Sequence, residues 1–369
     1  MAKDTVGVGV IGTGFARTTQ LPAWAACGGA RVVAVASGRR ENAEAAAREF
    51  GIPFVADDWR GVVGRDDVDL VSIVTPPATH AEMVAGALAS GKAVLCEKPM
   101  AMSAGESARM CAEARGGRGR LVLIDHELRF LPARRQMREM IQAGDVGRVR
   151  HVRGVFRADS RARAEGAWSW WSDEKMGGGV LGAIGSHVID ALLWLTGARV
   201  SHVGASLATH VPERPHAESG ERRRVTTDDE ANMLLSFADG GVTEGATGVV
   251  AMSMVEAGEP EHTVEVFGSE GALRVTREGR LWHARVGEGA WREVEAGRAP
   301  LAEGMRDSEW SRGFTAFSRE IVAALAEGRD TVEGAATFED GHRTQLVLDA
   351  ARASHASGRR VAVAMSDER

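Results

Sequence analysis

Ala93-Val94-Leu95-Cys96-Glu97-Lys98-Pro99-Met100 joins an apolar run directly to a charged one. The apolar half reads as a buried parallel strand. The charged half, Glu97-Lys98-Pro99, then falls at the carboxyl end of that strand, the edge where open α/β sheets bind ligands. A lysine at that edge is a candidate for chemistry. The alternative is a solvated surface turn in which proline simply stops the strand, and spacing alone leaves both readings open.

Working outward, Val6 to Ile11 is a short apolar strand followed at once by Gly12-Thr13-Gly14 and a helix-like run from Phe15 to Cys27. Glycines at such a corner let the backbone approach a pyrophosphate, which rests on the exposed N–H groups of the helix start. Gly12, Thr13, Gly14, Phe15 and Ala16 are therefore candidate cofactor contacts, although Arg17 stands where a third glycine is usual. The strand-helix unit repeats through Arg31–Phe50, Leu70–Ser90, Ala93–Ala114 and Leu121–Ile124. Such alternation predicts a doubly wound parallel sheet, a dinucleotide-binding domain over residues 1–125.

The second strand ends at Ser37-Gly38-Arg39-Arg40, where a free ribose 2′-hydroxyl would normally meet Asp or Glu. Ser37, Arg39 and Arg40 suit a 2′-phosphate, which favours NADP(H) over NAD(H). In the competing reading the two arginines are only the solvated start of the next helix, and NAD(H) stays open. Thr75-Pro76-Pro77 forms a stiff wall at the same edge, and His80 beyond it is expected to be a structural hydrogen-bonding residue beside the cofactor. Asp125-His126-Glu127-Leu128-Arg129-Phe130 is a dense polar group after the last strand of the sheet, either site or domain junction.

From Arg148 the pattern changes to alternating runs at 149–155, 231–237, 242–252, 263–267 and 272–275. These predict an α/β domain over 126–369 built on a large, mostly antiparallel open sheet. Residues 211–227 read as a long exposed loop, and helices are expected at 310–327 and 338–357, the latter packing back on the first domain. Between the strands, Gly177 to Asp190 leads into a helix whose Leu181, Ile184, Val188 and Leu195 make a core face, with His187, Asp190 and Trp194 on another. His-x-x-Asp is half of a metal site at most, and no metal is expected. Trp168, Trp170 and Trp171 either stack on a sugar ring or plug the domain interface.

Composition bounds the function. A chain of 369 residues with net charge −6 and both signs mixed gives no reason to expect a nucleic-acid or anionic-membrane partner. The apolar run 180–195 holds Gly182, Gly185, His187 and Asp190 and is too short to span a bilayer, so it is expected to be a buried helix. Cys27, Cys96 and Cys111 are scattered as reduced structural thiols would be, and the start lacks a signal-peptide core, which predicts a cytoplasmic protein. Tyrosine is absent, which excludes a Tyr-Lys catalytic pair.

In order, the Gly-rich turn, Thr75-Pro76-Pro77-x-x-His80, Glu97-Lys98-Pro99 and Gly177-Gly178-Gly179-(x)5-Gly185-x-His187-x-x-Asp190 give a chain that resembles the glucose-fructose oxidoreductase / inositol dehydrogenase (Gfo/Idh/MocA) family over nearly its whole length. The resemblance implies a Rossmann domain, a second domain whose open sheet forms homodimer or homotetramer contacts, a tightly held nicotinamide cofactor, and redox chemistry at a hydroxyl of a sugar or cyclitol. It implies that Lys98 and His187 face the reacting carbon. From the residues themselves, Arg129, Trp168 and Trp171 are further candidate substrate contacts. Many members carry an aspartate four residues before the histidine; here that position is Ala183, so Asp190, Asp125 or Glu127 is expected to substitute. A silent nucleotide or sugar sensor and a cofactor-recycling glycoside-cleaving enzyme are the rival functions.

Overall fold

The structure, a computed structural model, describes residues 4–116 and 120–364. The chain forms two compact units, Met1–Leu131 with Ala299–His342 and Pro132–Arg298 with Arg343–Arg369.

The first unit holds β1 (Val6–Ile11), β2 (Ala30–Ala36), β3 (Phe54–Val55), β4 (Leu70–Ile73), β5 (Ala93–Cys96) and β6 (Val122–Ile124). They run in the order β6-β5-β4-β1-β2-β3, all parallel, with Ala336–Thr337 added antiparallel beside β6. From β1 the chain winds first to β2 and β3, then crosses to β4 on the other flank. The carboxyl ends of β1 and β4 thus form the switch point where doubly wound sheets open a crevice. Both sheet faces are covered, which is why the strands are nearly continuous apolar runs. Val8, Val10, Leu70 and Leu95 point into one core with Trp24, Phe314, Phe317 and Ile321. Val71, Ile73, Val94 and Cys96 point into the other with Val84 and Met110.

Phe314, Phe317 and Ile321 come from the helix Glu309–Ala326, which starts where Ser308 Oγ accepts the Ser311 N–H at 3.1 Å. Phe314 meets Trp24 edge-on at 5.4 Å and Phe317 stacks on Phe130 at 4.2 Å. Burying three such side chains contributes ~1.5–3 kcal/mol each, enough to recruit residues 299–342 to the first unit. The division expected after residue 125 is amended accordingly, and the helix Phe338–Ser357 is shared, its first residues through His342 grouping with the first unit.

The second unit is built on β7 (Val149–Arg157), β8 (Val200–Ala208), β9 (Glu213–Pro215), β10 (Arg222–Arg224), β11 (Glu230–Phe237), β12 (Thr247–Ser253), β13 (Glu261–Gly268), β14 (Gly271–Val275), β15 (Leu281–Arg285) and β16 (Arg292–Val294). The large sheet has the order β16-β15-β14-β13-β7-β12-β11-β8 with Val361–Ala362 at its far edge. Every pair is antiparallel except β7 with β12. One face carries Val152, Val203, Met233, Leu235, Val250 and Val264 against the helices Pro132–Ala143 and Gly185–Thr196. On the other face Leu234 remains 66% exposed.

Three details differ from the sequence reading. The expected loop 211–227 contains the β9–β10 hairpin, whose Arg214 is buried. The strand expected from Val242 begins only at Thr247, because Gly240, Gly241 and Gly245 turn the chain first. The helix expected across 180–195 is broken at Ile184 into Val180–Ala183 and Gly185–Thr196. Among the described residues no single helix is long and apolar enough to cross a membrane; the bent pair Glu174–Ala183 and Gly185–Thr196 reaches that composition, and from Gly177 through Leu192 its residues are buried.

Candidate active site

In the first unit, the turn after β1 is shaped by close approach. Gly12 has φ +97°, and a Cβ there would lie 2.2 Å from the Val74 carbonyl oxygen beyond β4. Its N–H donates to Ala36 O at 2.8 Å, and Thr13 Oγ1 lies 3.0 Å from Ser37 Oγ. Gly14 faces open space, Phe15 is 37% exposed and Ala16 is buried, so Gly12–Ala16 and Ser37 surround one bay at the ends of β1 and β2. A backbone cradle of this kind, opening a helix, fits the phosphates of a dinucleotide. Arg39 is extended at the start of the helix Arg40–Phe50, and Arg40 pairs with Glu44 (2.9 Å) and with Asp57.

His80 is fully buried and stands between two carbonyl oxygens, with Nε2 2.8 Å from Thr75 O and Nδ1 3.1 Å from Pro99 O. Burial holds its pKa below the usual histidine value. The imidazole thereby ties the Thr75-Pro76-Pro77 turn to the Glu97-Lys98-Pro99 segment, whose Lys98–Pro99 peptide is cis.

Beneath Lys98 lies a buried carboxyl group cluster. Gln20, wholly buried at the end of the π-helical stretch Ala16–Gln20, donates from Nε2 to Glu97 Oε1 at 3.0 Å and to Asp125 Oδ2 at 2.9 Å, and its Oε1 accepts from Ser72 Oγ at 2.6 Å. Burial pushes Glu97, Asp125 and Glu127 above the ordinary carboxyl range, and the Lys98 ammonium acts on all three in the opposite direction. Lys98 itself is half-buried at the strand end. Arg129, a candidate substrate contact, is buried and pairs with Asp340 at 3.5 Å, a structural tie within the unit.

In the second unit, Gly179 has φ +100°, and a Cβ there would come within 2.5 Å of Asp228 Oδ1. That closeness lets Asp228 Oδ2 accept the Leu181 N–H at 2.6 Å, while its backbone oxygen accepts from Val180 N at 3.0 Å. The helix start is thus capped from a distant strand connection. Burial raises the Asp228 pKa. His187 and Asp190 follow on the next helix, both buried and one turn apart, with Ala183 buried one turn before.

The tryptophans sit in a separate excursion. Trp171 is half-buried under the Arg161 guanidinium (5.5 Å), and Trp168 donates from Nε1 to Arg224 O at 3.0 Å with Arg223 over its ring (5.6 Å). Arg161 donates to Ser172 Oγ at 3.0 Å, and burial together with neighbouring Arg214 pushes its pKa down to about 10. Among the described residues no group of His, Cys, Asp and Glu is arranged to hold a metal ion.

Comparison with known proteins agrees with this architecture. The profile described as an oxidoreductase family with an NAD-binding Rossmann fold matches residues 6–126, and that of the GFO/IDH/MocA C-terminal domain matches residues 134–274. The levoglucosan dehydrogenase of Pseudarthrobacter phenanthrenivorans is 30% identical over 343 residues, 86% of this chain and 85% of its own. This chain belongs to the Gfo/Idh/MocA oxidoreductase family.

Another relative in the Gfo/Idh/MocA family, the human glucose-fructose oxidoreductase domain-containing protein 2, is 33% identical over 99% of this chain and 95% of its own. A solved structure of a levoglucosan dehydrogenase in complex with NADH and L-sorbose superimposes with a TM-score of 0.87 at 28% identity, covering 99% of this chain and all of that one. For this Gfo/Idh/MocA member, sequence reasoning missed Gln20, Ser72 and Asp228. Gln20 carried a faint signal, an amide next to Leu21 and one turn from Trp24, both buried; Asp228 carried none, since its partners lie 47 residues away.

Proposed function

We propose that this enzyme moves a hydride between NADP(H) and a CH–OH centre of a sugar, sugar derivative or cyclitol. The observation that carries the reading is that one sheet edge presents both the Gly12 cradle and the half-buried Lys98 above three buried carboxyl groups. The nicotinamide, when bound, supplies the hydride acceptor or donor. Gly12–Ala16 with Thr75–Pro77 would hold its phosphates and wall, and Ser37 and Arg39 would meet a 2′-phosphate, since no carboxylate stands at 37–40. Arg40 joins them by releasing Asp57. Lys98 stabilises the developing alkoxide with a fixed charge, and His187 takes the hydroxyl proton with Asp190 as its acidic neighbour in place of the missing carboxylate at 183. Trp168 and Trp171 supply apolar ring faces for a sugar. The sugar class is supported by the levoglucosan dehydrogenase relatives. The open sheet face with exposed Leu234 supports a homodimer or homotetramer built through that face.

Mass spectrometry of nucleotide released from the purified protein, followed by a spectrophotometric screen of sugars and cyclitols with NADP⁺ and NAD⁺, tests the reading. Reduction of NADP⁺ by at least one such substrate is expected. Absence of nucleotide binding overturns it; binding of nucleotide or sugar with no turnover favours the silent sensor, and turnover of a glycoside without net consumption of cofactor favours the recycling enzyme.

A further inference from the structure

Gln20, near Lys98, is a polar side chain with all of its amide groups engaged. Its amide hydrogens go to Glu97 Oε1 and Asp125 Oδ2, and its carbonyl takes the Ser72 hydroxyl, all in a setting with no exposed surface. In this orientation both amide hydrogens meet carboxyl oxygens and the amide oxygen meets a hydroxyl. Four elements meet at this side chain: the helix that follows the glycine turn, β4 through Ser72, and the ends of β5 and β6 through Glu97 and Asp125. The other oxygen of Glu97 accepts the backbone N–H of Lys98 at 3.3 Å. We infer that Gln20 is a positioning residue: its amide ties the helix of the nucleotide turn to Glu97 and Asp125, and through Glu97 it sets the seat of Lys98.

The electrostatics give that tie a function beyond packing. Within the first unit the groups facing Glu97 are Lys98, Asp125, Glu127 and Cys96, with Glu309 behind Glu127. Burial drives the carboxyl groups towards their neutral forms, whereas an ammonium above them is held best by a carboxylate. The hydrogen bond from Gln20 favours the ionised form of Glu97 and works against burial. Without it Glu97 holds its proton to higher pH and Lys98 loses a counter-charge.

The inference rests on the proposed redox reading, so its test includes a measurement that needs no substrate. Gln20→Met keeps length and removes the amide. It should lower kcat ~10-fold, shift the acid limb of the kcat profile to higher pH, and leave NADPH affinity, read by nucleotide fluorescence, within about threefold. Ser72→Ala, which removes the hydroxyl that donates to the amide oxygen, should move kcat and the profile in the same direction by a smaller factor, and it serves if Gln20→Met does not fold. In infrared spectra of both proteins at neutral pH, the carbonyl band of protonated carboxylic acids should be stronger than in wild type. An unchanged band and an unmoved acid limb overturn the inference, even if kcat and melting temperature fall together. If wild type turns over no sugar, the redox reading fails, and the infrared comparison still decides the role of Gln20.

Discussion

Asp228 accepts the backbone N–H of Leu181 at 2.6 Å across 47 residues of chain. A carboxylate at a helix start satisfies a donor that otherwise has none and favours the positive end of the helix dipole. Asp228→Ala should destabilise the protein by ~0.5–2 kcal/mol in chemical denaturation, the range for losing an N-terminal cap. Asp228→Asn, which keeps an acceptor oxygen, should lose less than half as much. Equal loss in both variants would show that the acceptor is not what matters.

The buried carboxyl groups give a pH dependence with a definite sign. The folded-state pKa values of Glu97, Asp125 and Glu127 are raised above their ordinary values by burial. Their contribution to stability is therefore fully present below the ordinary carboxyl range and is lost as pH rises through the raised values. Asp125→Asn removes one such group and still accepts from Gln20. It should raise stability by ~1–3 kcal/mol, and the gap to wild type should widen in thermal melts as pH rises above the ordinary carboxyl range. A gap that is constant or narrows with pH contradicts the assignment.

Lys98→Met and His187→Ala should each lower turnover of the identified substrate by ~10²–10⁴ with cofactor binding largely kept. Steady-state kinetics beside nucleotide titration checks this. Near wild-type turnover in both variants would move the chemistry to other residues.

For the cofactor, Arg39→Glu together with Arg40→Glu replaces the two cations beyond β2, of which Arg40 would have to leave Glu44 and Asp57 to reach a phosphate. Losing a charge-assisted contact of ~1.5–3 kcal/mol should weaken NADP(H) about tenfold or more while sparing NAD(H). Equal weakening of both would remove the basis for the NADP(H) preference.

Much of this architecture was legible because burial on two faces writes itself as apolar runs. β1, β4 and β5 are unbroken stretches of Val, Ile, Leu and small residues, and the glycine turn and Glu97-Lys98 follow them directly. The helix Pro132–Ala143 escapes the sequence reading although Ala133, Met137 and Ile141 recur at i, i+4 and i+8, because the arginines between them, one of them the buried Arg134, read as solvated. The β9–β10 hairpin was hidden for another reason. Its strands are three residues each and are fixed by mutual pairing rather than by a hydrophobic period. The candidate site divides similarly. Lys98 and His187 stand in recognisable local patterns, whereas the roles of Gln20 and Asp228 depend on partners brought up by the fold. No local spacing encodes those.

The return of residues 299–342 to the first unit bears on how the protein is made. A ribosome releasing this chain has delivered every strand from β1 to β6 long before Phe314 and Phe317 emerge, and until then one face of that sheet lacks part of its cover. The second unit waits in turn for the closing half of the helix Phe338–Ser357, whose Val347, Leu348 and Ala351 lie in its core. The first unit is complete once His342 has emerged, ahead of the second. Until Phe314 and Phe317 emerge, the nascent chain carries an incomplete core in each unit, a state exposed to chaperones and proteases.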